Sequence, residues 1–108
     1  MNAIFTNLES VEALDSLFEQ SNTEPVFLFK HSATCGISAD IQQQVAAIDG
    51  NIHIVTVQNS RHVSNAIEAK TGIRHASPQA FVIRDGKVVY HATHYGIDPL
   101  QIEQFLAA

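Results

Sequence analysis

The chain has 108 residues, 45% of them apolar, a formal net charge of −5 and one cysteine. That length suits one domain with its own core, and a lone thiol excludes an internal disulfide. Lys30, Arg61, Lys70, Arg74, Arg84 and Lys87 are scattered in an acidic chain, which argues against a basic face for nucleic acid, and no apolar run is long enough to cross a membrane. The opening MNAIFTNLES has neither the basic start nor the continuous apolar stretch of a signal peptide. With a single thiol, which fits a reducing compartment, the expectation is a cytoplasmic protein.

Ala3 to Phe5 reads as a short first strand. Thr6 and Glu9 have the spacing of a capping box, and Leu8, Val11, Leu14, Leu17 and Phe18 recur at helical intervals up to about Gln20. After the turn SNTEP, Val26-Phe27-Leu28-Phe29 is a continuous apolar run, expected of a strand covered on both faces. Ile37, Ile41, Val45 and Ile48 then mark a second helix, stopped at Asp49-Gly50-Asn51. Ile52 to Val57 is rich in β-branched residues and reads as a third strand. Ser60 to Lys70 is a helix with Val63, Ala66 and Ile67 inward, ended by Thr71-Gly72. Ala80 to Ile83 and Val88 to Tyr90 flank Asp85-Gly86, a hairpin signal. Pro99 opens a last helix from about Asp98, with Leu100, Ile102, Phe105 and Leu106 as its apolar contacts.

The expected fold is therefore α/β, in the order β-α-β-α-β-α-β-β-α, with a mixed central sheet and helices on both faces. The alternation of strand and helix calls for parallel strands joined by right-handed crossovers, and the late hairpin adds antiparallel ones. Residues 1–108 form one unit, without repeat, linker or low-complexity segment.

Two readings of Cys35 stay open at this point. A free cysteine is commonly a small buried residue without chemistry. Here, however, it follows the polar turn His31-Ser32-Ala33-Thr34 and precedes a helix. Unpaired N–H groups and the positive end of the helix dipole favour a thiolate there, and the thiolate is the nucleophile. Lys30 and His31 add positive charge if they face the turn. Ser77-Pro78, just before a strand, is either a plain strand start or a cis peptide bond.

The segments FKHSATCGIS, VSNAI and HASPQAFVIRDGKVVYHATH, together with the chain length, resemble the YtxJ family, the monothiol bacilliredoxins, of the thioredoxin-like superfamily. The resemblance implies that Cys35 is the redox-active cysteine and that Ser38 stands where dithiol relatives carry a resolving cysteine. It implies that Ser77 and Pro78 form the loop that holds a cis proline against the thiol, and that Thr34 is the residue just ahead of the nucleophile. It further implies thiol–disulfide exchange on S-thiolated client proteins, with bacillithiol as a low-molecular-weight co-substrate, no bound cofactor, and a monomer or weak homodimer. The family pattern TCPIS is departed from at Gly36, where glycine loosens the first helical turn. Cys-Gly-x-Ser also resembles the monothiol glutaredoxins, which keeps glutathione as an alternative small thiol.

Lys30 is either a solvated strand-end residue or a group that holds a carboxylate of the small thiol or favours the thiolate, and His31 is a candidate for the second effect. Ser38 also suits the first turn of a helix as an ordinary polar residue. His53, His62, His75, His91 and His94 have no zinc spacing, so no metal is expected. The rival to an enzyme is a non-catalytic thioredoxin-like module that holds an extended peptide between the Cys35 turn and the Ser77-Pro78 loop. A third reading makes Cys35 a sensor protected by S-thiolation.

Overall fold

Strands form where β-branched and aromatic residues run together, and helices where apolar residues recur every three or four positions. In the computed structural model, which describes residues 3–108, this gives β1 (Ile4–Asn7), α1 (Val11–Gln20), β2 (Val26–His31), α2 (Gly36–Val45), β3 (Asn51–Thr56), α3 (Arg61–Thr71), β4 (Gln79–Arg84), β5 (Lys87–Thr93) and α4 (Pro99–Ala107), with a short 3-10 helix at His94–Gly96. The sheet order is β1-β3-β2-β4-β5. β1 and β2 both run parallel to β3, whereas β4 runs antiparallel to β2 and β5 to β4. β2 is the central strand, and Val26 to Lys30 are all buried.

Alternate residues of β2 enter two separate cores. Phe27 and Phe29 meet Ile41 and Val45 of α2 and Ile102 of α4 on one face. Leu28 meets Leu14 and Leu17 of α1 and Val63 and Ile67 of α3 on the other. The β4–β5 turn has Asp85 and Gly86 both at positive φ, 53° and 73°, as a two-residue hairpin of right-handed twist requires. No helix among the described residues is long and apolar enough to cross a membrane.

Four expectations are corrected. The Thr6–Glu9 pair caps nothing: Thr6 lies in β1, paired with His53, and Ser10 caps α1 by accepting from the N–H of Ala13 at 3.0 Å. Parallel pairing with β3 overrides the local capping pattern. Ile48 lies beyond α2 and packs in the core from the turn that follows it. Leu100 is 70% exposed, because the Asp98 cap and Pro99 orient α4 with Ile102 inward. β5 continues to Thr93, so His91 is a strand residue and His94 lies just past it.

Candidate thiol site

Parallel β2 and β3 bring their C-terminal ends to one edge of the sheet, where residues after neighbouring strands can meet. After His31 the chain turns through Ser32-Ala33-Thr34, and the N–H of Cys35 donates to the carbonyl of Ser32 at 3.4 Å. Cys35 is the N-cap of α2, with φ −107° and ψ 120°, and its side chain makes no capping bond. The thiol is half-buried. It therefore stands at the open end of a helix whose first N–H groups and dipole favour negative charge.

Gly36 is the first helical residue and is exposed, with no atom within 4 Å of where a Cβ would sit. Ser38, one turn into the helix, is fully buried. Its hydroxyl oxygen accepts from the N–H of Ser32 at 3.0 Å and lies 2.7 Å from His31 Nδ1. Burial holds the His31 imidazole below its ordinary pKa, and its ring stacks on Phe29.

Antiparallel pairing of β4 with β2 sets Gln79 opposite Lys30, so the loop before β4 arrives at the same edge. Ser77-Pro78 is cis, and the Pro78 carbonyl accepts from the N–H of His94 at 3.0 Å. Gln79 is buried and pins the loop from within: its Oε1 accepts from the Ala76 N–H at 3.3 Å, and its Nε2 donates to the Arg74 carbonyl at 2.9 Å. The same Nε2 lies 3.0 Å from His91 Nε2. His94, at φ 53°, starts the 3-10 helix that carries Tyr95. Tyr95 is 63% exposed, and its hydroxyl donates to Asp40 Oδ2 on α2 at 3.1 Å. That bond holds the phenol above its ordinary pKa, and partial desolvation and the Asp40 charge push it the same way.

Lys30 is turned to the opposite face of the sheet from His31. It is fully buried, with Nζ 3.2 Å from His75 Nδ1. His75 is also 3.3 Å from Ser64 Oγ, and its N–H donates to Glu68 Oε1 at 2.9 Å. Burial lowers the Lys30 pKa to about 8, against an opposing pull from Glu68. Burial and the neighbouring Lys30 also keep His75 below its ordinary value. Lys30 thus braces the His75–Pro78 loop from beneath.

Of the residues singled out in the sequence, Cys35, Thr34, Gly36, Ser38 and His31 gather around the start of α2. Ser77 and Pro78 come to the same edge, and Lys30 lies behind them on the α3 side. Gln58, after β3, was missed. It bonds to all three residues of the Ser32–Thr34 turn, and the only advance signal was its place at the end of a strand parallel to β2. Among the described residues no three His, Cys, Asp or Glu side chains converge as a metal site would need. A cavity of about 570 Å³ is lined by Phe18, Lys70, Tyr90 and His91 among others and by no residue of the thiol turn.

Fold and site together define a thiol–disulfide redox protein of the thioredoxin class. A solved structure titled "A putative oxidoreductase with a thioredoxin fold" matches with 31% identity and a TM-score of 0.85, over 94% of this chain and 92% of that one. Fasciola hepatica thioredoxin matches at 16% identity and TM-score 0.72, over 94% and 95% of the two chains. Mitochondrial thioredoxin 3 of Saccharomyces cerevisiae matches at 15% and 0.71, over 95% and 93%. The last two share the fold. Residues 6–102 match the family described as monothiol bacilliredoxin BrxC. The chain belongs to the monothiol bacilliredoxin family.

Proposed function

We propose that this protein removes bacillithiol from S-thiolated client proteins through Cys35, in a reducing cytoplasm. The observation that carries the reading is the lone thiol at the N-cap of α2, with a buried, hydrogen-bonded Ser38 one turn on. Ser38 has no sulfur with which to resolve an adduct, so the chemistry stops at a mixed disulfide until a second thiol arrives.

In this reading the Cys35 thiolate attacks the bacillithiol sulfur of the client's mixed disulfide. A new S–S bond forms between Cys35 and bacillithiol. The old one breaks, and the client leaves as a thiolate that takes a proton from water. A thiolate from a second small thiol or another redoxin then attacks the bacillithiol sulfur and frees Cys35. The rate follows thiolate fraction and access at each step. Thr34 and Gly36 shape the approach to the sulfur, the backbone of Ser77 pairs with the bound chain beside Pro78, and His31 sets Ser38. Lys30 acts on the loop through His75 and not on the small thiol directly.

The test is transfer from a bacillithiolated client to the reduced protein, followed by release of free client thiol. Cys35→Ser abolishes both if the reading holds. Retained release in that variant overturns it.

A further inference from the structure

Gln58 uses every polar atom of its side chain on the turn ahead of Cys35. Its Oε1 accepts from the N–H of Ala33 at 3.0 Å, and its Nε2 donates to Ser32 Oγ at 2.8 Å and to Thr34 Oγ1 at 3.3 Å. An exposed glutamine loses rotamer freedom when it is held this way, and three hydrogen bonds to three consecutive residues offset that loss.

Counting hydrogens gives the consequence. Both N–H donors of the amide go to hydroxyl oxygens, so neither hydroxyl can give its hydrogen to Gln58 Nε2. The two hydroxyl oxygens lie 3.4 Å apart, where one donates to the other. One hydroxyl hydrogen is left over. Ser32 is buried and Thr34 exposed, so the arrangement with an open hydrogen has Ser32 donating to Thr34, and Thr34, the residue before Cys35 in the chain, keeping its own hydrogen free.

We propose that Gln58 is a positioning residue for the thiol exchange: it fixes the Ser32–Thr34 turn and directs the Thr34 hydroxyl as a donor to the sulfur of Cys35 or to the sulfur bound there. A hydrogen bond to the charged form favours it. The other groups at this end are committed elsewhere. His31 from β2 is engaged with Ser38, Asp40 of α2 and Tyr95 of the 3-10 helix are bonded to each other, and Lys30 faces α3. The inference rests on Cys35 being the attacking thiol.

The test follows the rate of Cys35 alkylation by iodoacetamide against pH, with far-ultraviolet circular dichroism to check folding. Gln58→Glu keeps an acceptor for Ala33, but its second oxygen draws in the hydroxyl hydrogens and adds negative charge. It should move the alkylation profile to higher pH by about one unit, the equivalent of one charge-assisted hydrogen bond. Thr34→Val should move the profile in the same direction, and the double variant by less than the sum, since both act on one hydrogen bond. A Gln58→Glu profile that overlays the parent, or additive shifts, overturns the proposal. Should Gln58→Glu unfold, Thr34→Val alone decides, and an unshifted profile there is equally fatal. Alkylation involves no bacillithiol, so loss of client turnover with these shifts intact counts against the proposed substrate and leaves the role of Gln58 standing.

Discussion

Ser38 lies three residues after Cys35 in α2 and is bonded on two sides, to Ser32 and His31. Ser38→Cys should place a second thiol against the first. After reaction with a bacillithiolated client, intact mass should then show an internal disulfide in place of the small-thiol adduct. A persistent adduct would mean that position 38 cannot reach Cys35. The variant should also be less stable by about 1–2 kcal/mol, because the Ser32 N–H loses a good acceptor. Lys30 is the other residue whose environment predicts a measurable effect. Its pKa is lowered from 10.5 to about 8 by burial, so the unfolded chain holds the proton more tightly than the folded one. The penalty is full below about pH 8 and fades as pH rises toward 10.5. Lys30→Met should flatten the gain in stability across that window, while near neutral pH the relief of the buried charge opposes the loss of the Lys30–His75 contact. An unchanged slope in denaturant unfolding would contradict the burial account. The place of Cys35 at a strand–helix junction was legible from its neighbours, whereas the cis bond at Pro78 was not, because Ser77-Pro78 before a strand reads equally as a plain strand entry. The direction in which Lys30 points was not, because a strand-end lysine reads the same whichever face it takes.

The elements were legible wherever their apolar period was strong. β2, β3, α3 and the Asp85-Gly86 hairpin form where the pattern puts them. The start of α1 does not, because Thr6–Glu9 and Ser10 both satisfy local capping rules and only pairing of β1 with β3 decides between them. Gln58 escaped for a related reason: its partners lie 24 to 26 residues away, and no local period marks such contacts. The first turn of α2 yields a prediction of its own. Gly36 has open space around it, and Cys35 already has the extended backbone that a following proline demands. Gly36→Pro should fit at the first helical position, where no intrahelical N–H bond is lost. It should raise stability by about 0.4–1 kcal/mol by restricting the unfolded chain. A lower urea midpoint would show that this turn needs the freedom of glycine.

Across the whole molecule, His31, His53, His75 and His91 are all held below their ordinary pKa, chiefly by burial. Each takes up a proton more readily when unfolded. Stability should therefore fall as pH drops below about 6.5, the ordinary histidine value. A thermal midpoint that stays level from neutral pH down to 5 would contradict this. The edge that carries Cys35 gathers the end of β2, the Gln58 loop, the cis Ser77-Pro78 loop and Tyr95 around one thiol. Which small thiol Cys35 accepts decides the proposed reaction. Intact-mass spectrometry should follow the reduced protein and Cys35→Ser, each incubated with one client carrying bacillithiol and with the same client carrying glutathione. A bacillithiol adduct is expected on the parent protein alone, with the client freed. An adduct of glutathione only, or a client left unchanged by the parent protein, would contradict it.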